Sequence, residues 1–218
     1  MRTVRECCLC SQIEGWAEND LIARMLPAQP YVRRVMLESA SFAVIPSLGP
    51  LVSGHSLLCP KTHFQSFASV AGELHAEFAE IKAKLRSSLG EIYGTGVYIF
   101  EHGMAASGDR ILCSVDHAHI HFLPLPHSFD DTLDDDKRWI YYDGSLPALQ
   151  QLTNGREYIL YEKPDGVCRV LTGDDGPFES QYMRKAIFSR LERATHWNWR
   201  EAPAPLRADE TWRRFTRS

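Results

Sequence analysis

The chain has 218 residues, of which 44% are hydrophobic and 24% are charged, and its formal net charge is −4. This composition is typical of a globular protein with a substantial core. Lys and Arg number 24 against 28 Asp and Glu, so no basic excess favours a polymeric nucleic acid as partner. No apolar run reaches the roughly 20 residues that span a bilayer, so a membrane protein is not expected. Six cysteines without a signal-peptide pattern favour a reduced, cytoplasmic protein.

The first candidate site is a pair of cysteines near the start of the sequence, Cys7 and Cys10. The C-x-x-C spacing is typical of one half of a zinc site, because two thiolates at this distance can bind the same tetrahedral ion. The pair alone leaves two alternatives open. In the first, Cys8 replaces Cys7 as the partner of Cys10, although that spacing is short for a zinc site. In the second, the cysteines are reduced thiols that bind no metal.

Strand and helix patterns follow in chain order. Apolar and β-branched residues predict strands over 37–45 and 55–59, separated by a turn region rich in Pro and Gly. An apolar residue recurs every three or four positions from 72 to 93, which predicts an amphipathic helix. Further strands are predicted over 97–101 and 115–123. Beyond them, the sequence predicts an acidic surface loop over 128–137, a hairpin of strands 158–162 and 167–171, and a helix over 180–191.

The most distinctive run of the sequence contains His117, His119 and His121, which alternate with apolar residues. Side chains of a strand alternate between its two faces, so we expect the three imidazoles to lie on one face. Imidazole titrates near neutral pH, binds metals and acts as a nucleophile. The row therefore indicates a nucleophilic site or a metal site, and a polar strand face exposed to solvent is the less specific alternative.

Two segments together resemble the histidine triad (HIT) family, namely the histidine run and an upstream G-H-x-L-x-x-P-K-x-H pattern at 54–63. A looser likeness extends from position 7 to 124, a little over half of the chain. The resemblance implies an α+β fold, in which an antiparallel sheet is flanked by helices, with a HIT-like domain of the bacterial type at 1–138. Residues 139–218 are then a C-terminal extension of strands and a helix that packs on the same unit.

The resemblance also implies a chemistry. Family members cleave at the α-phosphate of a nucleotide, so we expect a nucleotide hydrolase or nucleotidyltransferase that acts on a nucleotide or nucleotide conjugate. His119 would form a covalent nucleotidyl intermediate, while His121 and Ser114 would hydrogen-bond the phosphate. Bacterial-type members complete the cysteine pair with two histidines, here His63 and His117, around a structural zinc ion. A homodimer is also implied by the family.

Further substrate-binding candidates lie outside the triad. Glu101 and His102 stand where family members often have Asn and Gly, and Arg110 lies in a loop that replaces a shorter Gly-Gln-Ser/Thr segment. The first two can orient the triad or contact the ribose, and an arginine can bind a phosphate. An S-Q-x-x-R segment, similar to one in some longer HIT proteins, adds Gln181 and Arg184. Because a cysteine replaces the usual Gln before Ser114, the resemblance does not imply the leaving group.

Two other functions fit the same residues. One is a nucleotide-binding sensor, in which the altered loop before the triad preserves affinity without turnover. The other is a metal-centred hydrolase, in which all three triad histidines bind a catalytic zinc ion with an open coordination position. The aromatic and basic residues of the C-terminal tail are expected to pack on the core rather than to stack on nucleic acid bases.

Overall fold

A computed structural model of the chain describes residues 6–104, 115, 117–129, 132–133, 138–173, 178–191 and 196–218. Its strands are β1 (Leu37–Glu38), β2 (Phe42–Pro46), β3 (Ser56–Pro60), β4 (Val97–Gly103), β5 (Ile120–Pro124), β6 (Ile140–Tyr142), β7 (Tyr158–Glu162) and β8 (Cys168–Thr172). Its α-helices are α1 (Cys8–Glu14), α2 (Leu21–Met25), α3 (His75–Tyr93), α4 (Leu146–Thr153), α5 (Tyr182–Arg190) and α6 (Pro205–Thr216). The described strands form one antiparallel sheet in the order β1-β2-β3-β5-β4-β7-β8-β6. The predicted α+β fold, an antiparallel sheet with flanking helices, is confirmed.

Different helices cover the two faces of the sheet. Helices α3 and α4 pack on one of them, which we call the helix face. On the opposite face, which we call the site face, Ile13 of α1 packs near β2 and β3, and Ile187 of α5 packs near β4 and β7. His121 pairs with Leu57 of β3 and with Phe100 of β4. Paired residues point to the same side of a sheet, and Leu57 and Phe100 both belong to the site face. His121 therefore lies on the site face, between the residues that contact α1 and those that contact α5.

Two predicted strands differ from the observed ones. The segment 37–45 is not one strand but two, because the Ser39 N–H donates to the Phe42 carbonyl at 3.0 Å and closes a turn between β1 and β2. Of the predicted strand 115–123, the observed strand β5 covers the part from Ile120 onward. The last histidine of the row therefore lies in β5, and the first two precede it.

Residues 139–218 continue the sheet that the preceding residues form. Strand β7 pairs with β4 over five residues, from Ile99 opposite Glu162 to Gly103 opposite Tyr158. Strand β4 is therefore bonded on both edges, by β5 and by β7. Residues 1–138 and 139–218 contribute to a single sheet, and the sheet ends are the short strands β1 and β6.

The C-terminal helix α6 is tied to the segment before β1. Arg34 and Asp209 form a buried ion pair with an Nε···Oδ1 distance of 2.7 Å. The Trp212 indole N–H donates to the Val35 carbonyl at 3.2 Å, and its ring packs against the core. None of the helices in the described ranges combines the length and the apolar character needed to cross a bilayer.

Glu101 lies on the helix face, because it is the neighbour of Phe100 in β4 and successive side chains alternate. The Phe67 N–H donates to its Oε1 at 2.9 Å, and the Tyr158 hydroxyl donates to its Oε2 at 2.5 Å. Burial raises the pKa of Glu101 to about 7. The sheet thus separates this carboxyl from the triad histidines, and its contacts join β4, β7 and the segment before α3.

The raised pKa of Glu101 makes protein stability depend on pH. Between about pH 5 and 7, the folded protein binds a proton here that the unfolded chain has lost, so this group lowers stability as pH rises. We expect Glu101→Gln to raise the free energy of unfolding at pH 8 by roughly 1–3 kcal/mol and to flatten its decline between pH 5 and 8. Urea denaturation at several pH values measures the free energy of unfolding and its change with pH. Glu80→Gln, an exposed change on α3, is the control and should keep the wild-type dependence of unfolding free energy on pH. If Glu101→Gln also keeps that dependence, Glu101 is not the group responsible for it.

Candidate functional site

Four sulfur and imidazole ligands converge at one end of the site face. Cys7 caps α1, Cys10 lies in its first turn, His63 follows β3, and His117 precedes β5. Their ligand atoms all lie within 4.8 Å of one another. The Cys10 Sγ is 3.4 Å from His63 Nδ1 and 3.2 Å from His117 Nδ1, and the Cys7 Sγ is 3.5 Å from His117 Nδ1. The structure therefore brings together all four residues of the predicted metal site.

The chemistry of this cluster fits a metal ion. Bonds of about 2.3 Å to sulfur and about 2.05 Å to nitrogen place S and N about 3.6 Å apart around a tetrahedral ion, close to the observed spacing. The His117 Nε2–H donates to the Pro60 carbonyl at 2.8 Å, so the Nδ1 lone pair faces the cysteines. The hydrogen bond between the two thiols lowers the pKa of Cys7 and raises the pKa of Cys10, so the pair shares one proton and Cys7 is the thiolate. Cys8 is not part of the cluster.

The orientation of His119 is set by a backbone carbonyl. Its Nδ1 lies 2.6 Å from the carbonyl oxygen of His117. Since a carbonyl can only accept, Nδ1 carries the proton, and Nε2 has an available lone pair. Burial is the main cause that lowers the pKa of His119 to about 4, so its imidazole is uncharged at neutral pH. A neutral, oriented imidazole of this kind is suited to act as a nucleophile through Nε2.

A chain of hydrogen bonds fixes the proton of His121. The Leu51 N–H donates to His55 Nδ1 at 3.1 Å, so the proton of a neutral His55 is on Nε2. That nitrogen lies 2.8 Å from His121 Nδ1, which must accept, and the His121 proton is therefore on its own Nε2. Burial lowers the pKa of both rings well below the ordinary value. The His121 ring also stacks on Phe100, with the ring centroids 4.2 Å apart, and it offers an N–H donor beside His119.

Both histidines line a cavity between α1 and α5. Its other walls are mostly apolar, with a few polar groups, and consist of Cys8, Leu9, Gln12, Leu21, Pro46, Ser47, Leu48, Gly49, Leu57, Val115, Arg184 and Trp199. The cavity holds about 60 Å³, whereas ligand pockets typically hold roughly 300–1,000 Å³. The segment with Trp199 packs so closely on Gly49 that a Cβ there would lie 2.4 Å from the Trp199 Cβ. The cavity is therefore smaller than a nucleotide as long as this segment stays in place.

Arg184 brings a positive charge to the same cavity. Its side chain is buried, with 4% of the residue surface exposed, and it donates to the carbonyls of Gly49 at 2.6 Å and Trp197 at 2.9 Å. Burial lowers its pKa to about 10, so the guanidinium remains charged at neutral pH. Among the described residues it has no carboxylate partner. A buried cation without a counter-charge is suited to bind an anion.

Comparison with known proteins gives structural likenesses to histidine triad proteins. A hypothetical histidine triad nucleotide-binding protein from Sulfolobus tokodaii is 23% identical, with 57% of this chain and 76% of that chain covered and a TM-score of 0.39. A Zn-bound histidine triad family protein from Mycobacterium smegmatis is 20% identical, with 58% and 79% covered and a TM-score of 0.42. A HIT family member from Bacillus subtilis is 18% identical, with 67% and 93% covered and a TM-score of 0.41. No family model and no curated protein matches the chain. These likenesses are weak and partial, since each TM-score is below 0.5.

The remaining predicted site residues are placed differently. His102 is on the site face but outside the cavity, where its Nε2 lies 2.6 Å from Glu157 Oε1. Gln181 has a left-handed backbone with φ of 60° and donates from Nε2 to Asn198 Oδ1 at 3.0 Å. It therefore ties the start of α5 to the segment that covers the cavity. Ser114 and Arg110 lie outside the described residues.

Three residues of the site are not among the predicted site residues. His55 carries a visible signal, because it is the histidine of the G-H pattern at 54–63. Gln12 and Trp199 carry none, since a polar residue in a short helix and a tryptophan in a tail are ordinary features. Only the packing of α1 and of the segment before α6 brings them to the triad.

Proposed function

We propose that this protein is a nucleotide hydrolase or nucleotidyltransferase that cleaves at the α-phosphate through a covalent intermediate on His119. The observation that carries the proposal is the hydrogen bond from His119 Nδ1 to the His117 carbonyl, which leaves the Nε2 lone pair of a neutral ring available on a residue that lines the cavity. The neighbouring Arg184 guanidinium and the His121 Nε2–H supply the positive charge and the donor that a phosphate needs.

The reaction has two displacements. In the first, a bond forms between His119 Nε2 and the α-phosphorus, and the bond from phosphorus to the leaving group breaks with its electron pair on the leaving group. His121 Nε2–H hydrogen-bonds the phosphate or the leaving atom during this step. In the second, water or another acceptor attacks the phosphorus, the N–P bond breaks, and the proton of the acceptor passes to solvent. Ser114 is a further proposed phosphate donor, and Arg110 is a further proposed phosphate contact.

We propose zinc as the ion of the cluster formed by Cys7, Cys10, His63 and His117. When bound, it would act as a structural link, because all four ligands come from the protein and no coordination position is left for substrate. The direction of the His117 Nδ1 toward the cysteines favours this role over a catalytic zinc ion held by all three triad histidines. A homodimer and a cytoplasmic location remain predictions. A homodimer cannot form by strand pairing through β4, because β5 and β7 already bond both edges of that strand.

Loss of the Arg184 charge should weaken the binding of phosphate but not of the nucleoside. We expect Arg184→Gln to raise the Kd for AMP by roughly 10- to 100-fold and to change the Kd for adenosine by less than about threefold, because only AMP bears the anion. Isothermal titration calorimetry measures both ligands. Arg190→Gln on the same helix serves as control, since its side chain bonds within α5. Equal losses for AMP and adenosine would assign Arg184 to packing instead.

The proposed activity is tested with a panel of nucleotide conjugates: nucleoside phosphoramidates, dinucleoside polyphosphates and nucleotide sugars. We expect release of a nucleoside monophosphate from at least one of them, detected by chromatography and ³¹P NMR. Addition of a second phosphate or sugar phosphate as acceptor distinguishes hydrolysis from transfer. Binding of these compounds without any release would favour the sensor alternative and contradict the proposed activity.

A further inference from the structure

The cavity beside the triad contains a buried carboxamide that the proposed chemistry does not use. Gln12 lies on α1, and only 6% of its surface is exposed. Its Nε2 has no hydrogen-bond partner among the described residues. The side chain lines the cavity together with His119 and His121. Because buried polar groups in proteins are nearly always hydrogen-bonded, this amide needs an explanation.

Packing does not supply that explanation. Leu9 and Ile13 of α1 are apolar and belong to the cluster that joins this helix to β2 and β3, whereas the adjacent Ser11 is buried and polar and does not line the cavity. An apolar side chain of similar volume at position 12 would fill the same space without burying an amide. The burial of the amide is compensated when a polar partner occupies the cavity. The partner must therefore present a hydrogen-bond acceptor to the amide N–H.

We infer that Gln12 is a specificity-determining residue that hydrogen-bonds the edge of the nucleotide base and selects adenine; this rests on the proposed function. A carboxamide presents a donor and an acceptor on adjacent atoms. On both polar edges of adenine, the exocyclic amine lies beside a ring nitrogen that accepts hydrogen bonds. The Gln12 carboxamide can therefore make two hydrogen bonds to either edge, one from its N–H and one to its oxygen. Three leucines, Leu9, Leu21 and Leu57, line the same cavity. They leave the additional polar groups of guanine unpaired, which disfavours that base.

A cycle of one substitution and one ligand change tests this role. The ligands are AMP and purine riboside 5′-monophosphate, which lacks only the exocyclic amine common to both adenine edges. We expect wild-type protein to bind AMP tighter by roughly tenfold or more. In Gln12→Met the two ligands should bind within about twofold of each other. Isothermal titration calorimetry gives the four Kd values, and Glu14→Gln, an exposed change on the same helix, should keep the wild-type ratio.

Thermal unfolding of the ligand-free proteins separates recognition from folding. Because the amide donor has no partner among the described residues, we expect the Tm of Gln12→Met to equal or exceed that of wild type. A Gln12→Met protein that discriminates between the two ligands as wild type does would overturn the inference. If Gln12→Met loses discrimination but the wild-type protein forms no nucleotidyl adduct on His119, base recognition by Gln12 is supported and only the proposed chemistry is contradicted. An adduct on His119 together with an unchanged ratio would contradict base recognition alone.

Discussion

Replacement of His119 by Gln should lower kcat on the order of 10³-fold or more while the fold is retained. Glutamine has a similar reach but no nucleophilic nitrogen, so the first displacement cannot occur. The effect should fall on kcat more than on affinity for AMP, because the phosphate still meets Arg184 and His121. Steady-state kinetics on the best substrate of the panel, together with AMP titration, measure the two quantities.

His127→Gln is the matched control for this change. That histidine is exposed and lies beyond the end of β5, so kcat should remain within about twofold of wild type. Full turnover in His119→Gln on every substrate would exclude the covalent mechanism. Loss of AMP binding in parallel with kcat would instead show that His119 acts mainly in binding.

Loss of one cluster ligand should have the largest effect on stability. In Cys10→Ser, a hydroxyl replaces the thiolate that approaches both His63 and His117, and zinc affinity falls. We expect the free energy of unfolding to drop by roughly 5 kcal/mol, because metal binding is coupled to folding. For a domain of this size, the Tm should fall by about 10–20 °C. Calorimetry measures the Tm, and elemental analysis measures the zinc content.

Cys8→Ser provides the control on the same helix, because Cys8 is outside the cluster. It should retain the wild-type zinc content and a Tm within a few degrees. Chelation of the wild-type protein should reproduce the Cys10→Ser Tm. A chelated protein that keeps its Tm but loses turnover would contradict a structural metal and favour a catalytic one.

The sheet could be predicted from sequence where local patterns determine it. The hairpin of β7 and β8 follows from a Pro-Asp-Gly turn, and α3 follows from its apolar stripe. The pairing of β7 with β4 has no local signal, because it depends on which strand edge the rest of the sheet leaves available. The split of 37–45 into two strands depends on Ser39, whose backbone and side chain both bond Phe42.

For the candidate site, the sequence predicted the metal cluster but not the contacts that build the cavity. The four cluster residues follow from the cysteine spacing and the resemblance. The alternation of side chains along β4 already separates Glu101 from Phe100 and His102, but the sequence does not say which face carries the site. The proton positions of His55 and His121 depend on the Leu51 N–H, and Arg184 reaches the cavity only because α5 packs on the site face. Such contacts between distant segments have no periodic signature in a single sequence.

Intact mass spectrometry tests the covalent role of His119 most directly. Wild-type protein and His121→Ala, in which we expect slower breakdown of the intermediate, are incubated with the nucleotide panel and kept out of acid. We predict an added mass of one nucleotidyl group that maps to His119 by peptide sequencing and is absent in His119→Gln. Its mass identifies the base that was transferred. Release of nucleoside monophosphate without an adduct in either protein, or an adduct on another residue, would contradict the mechanism.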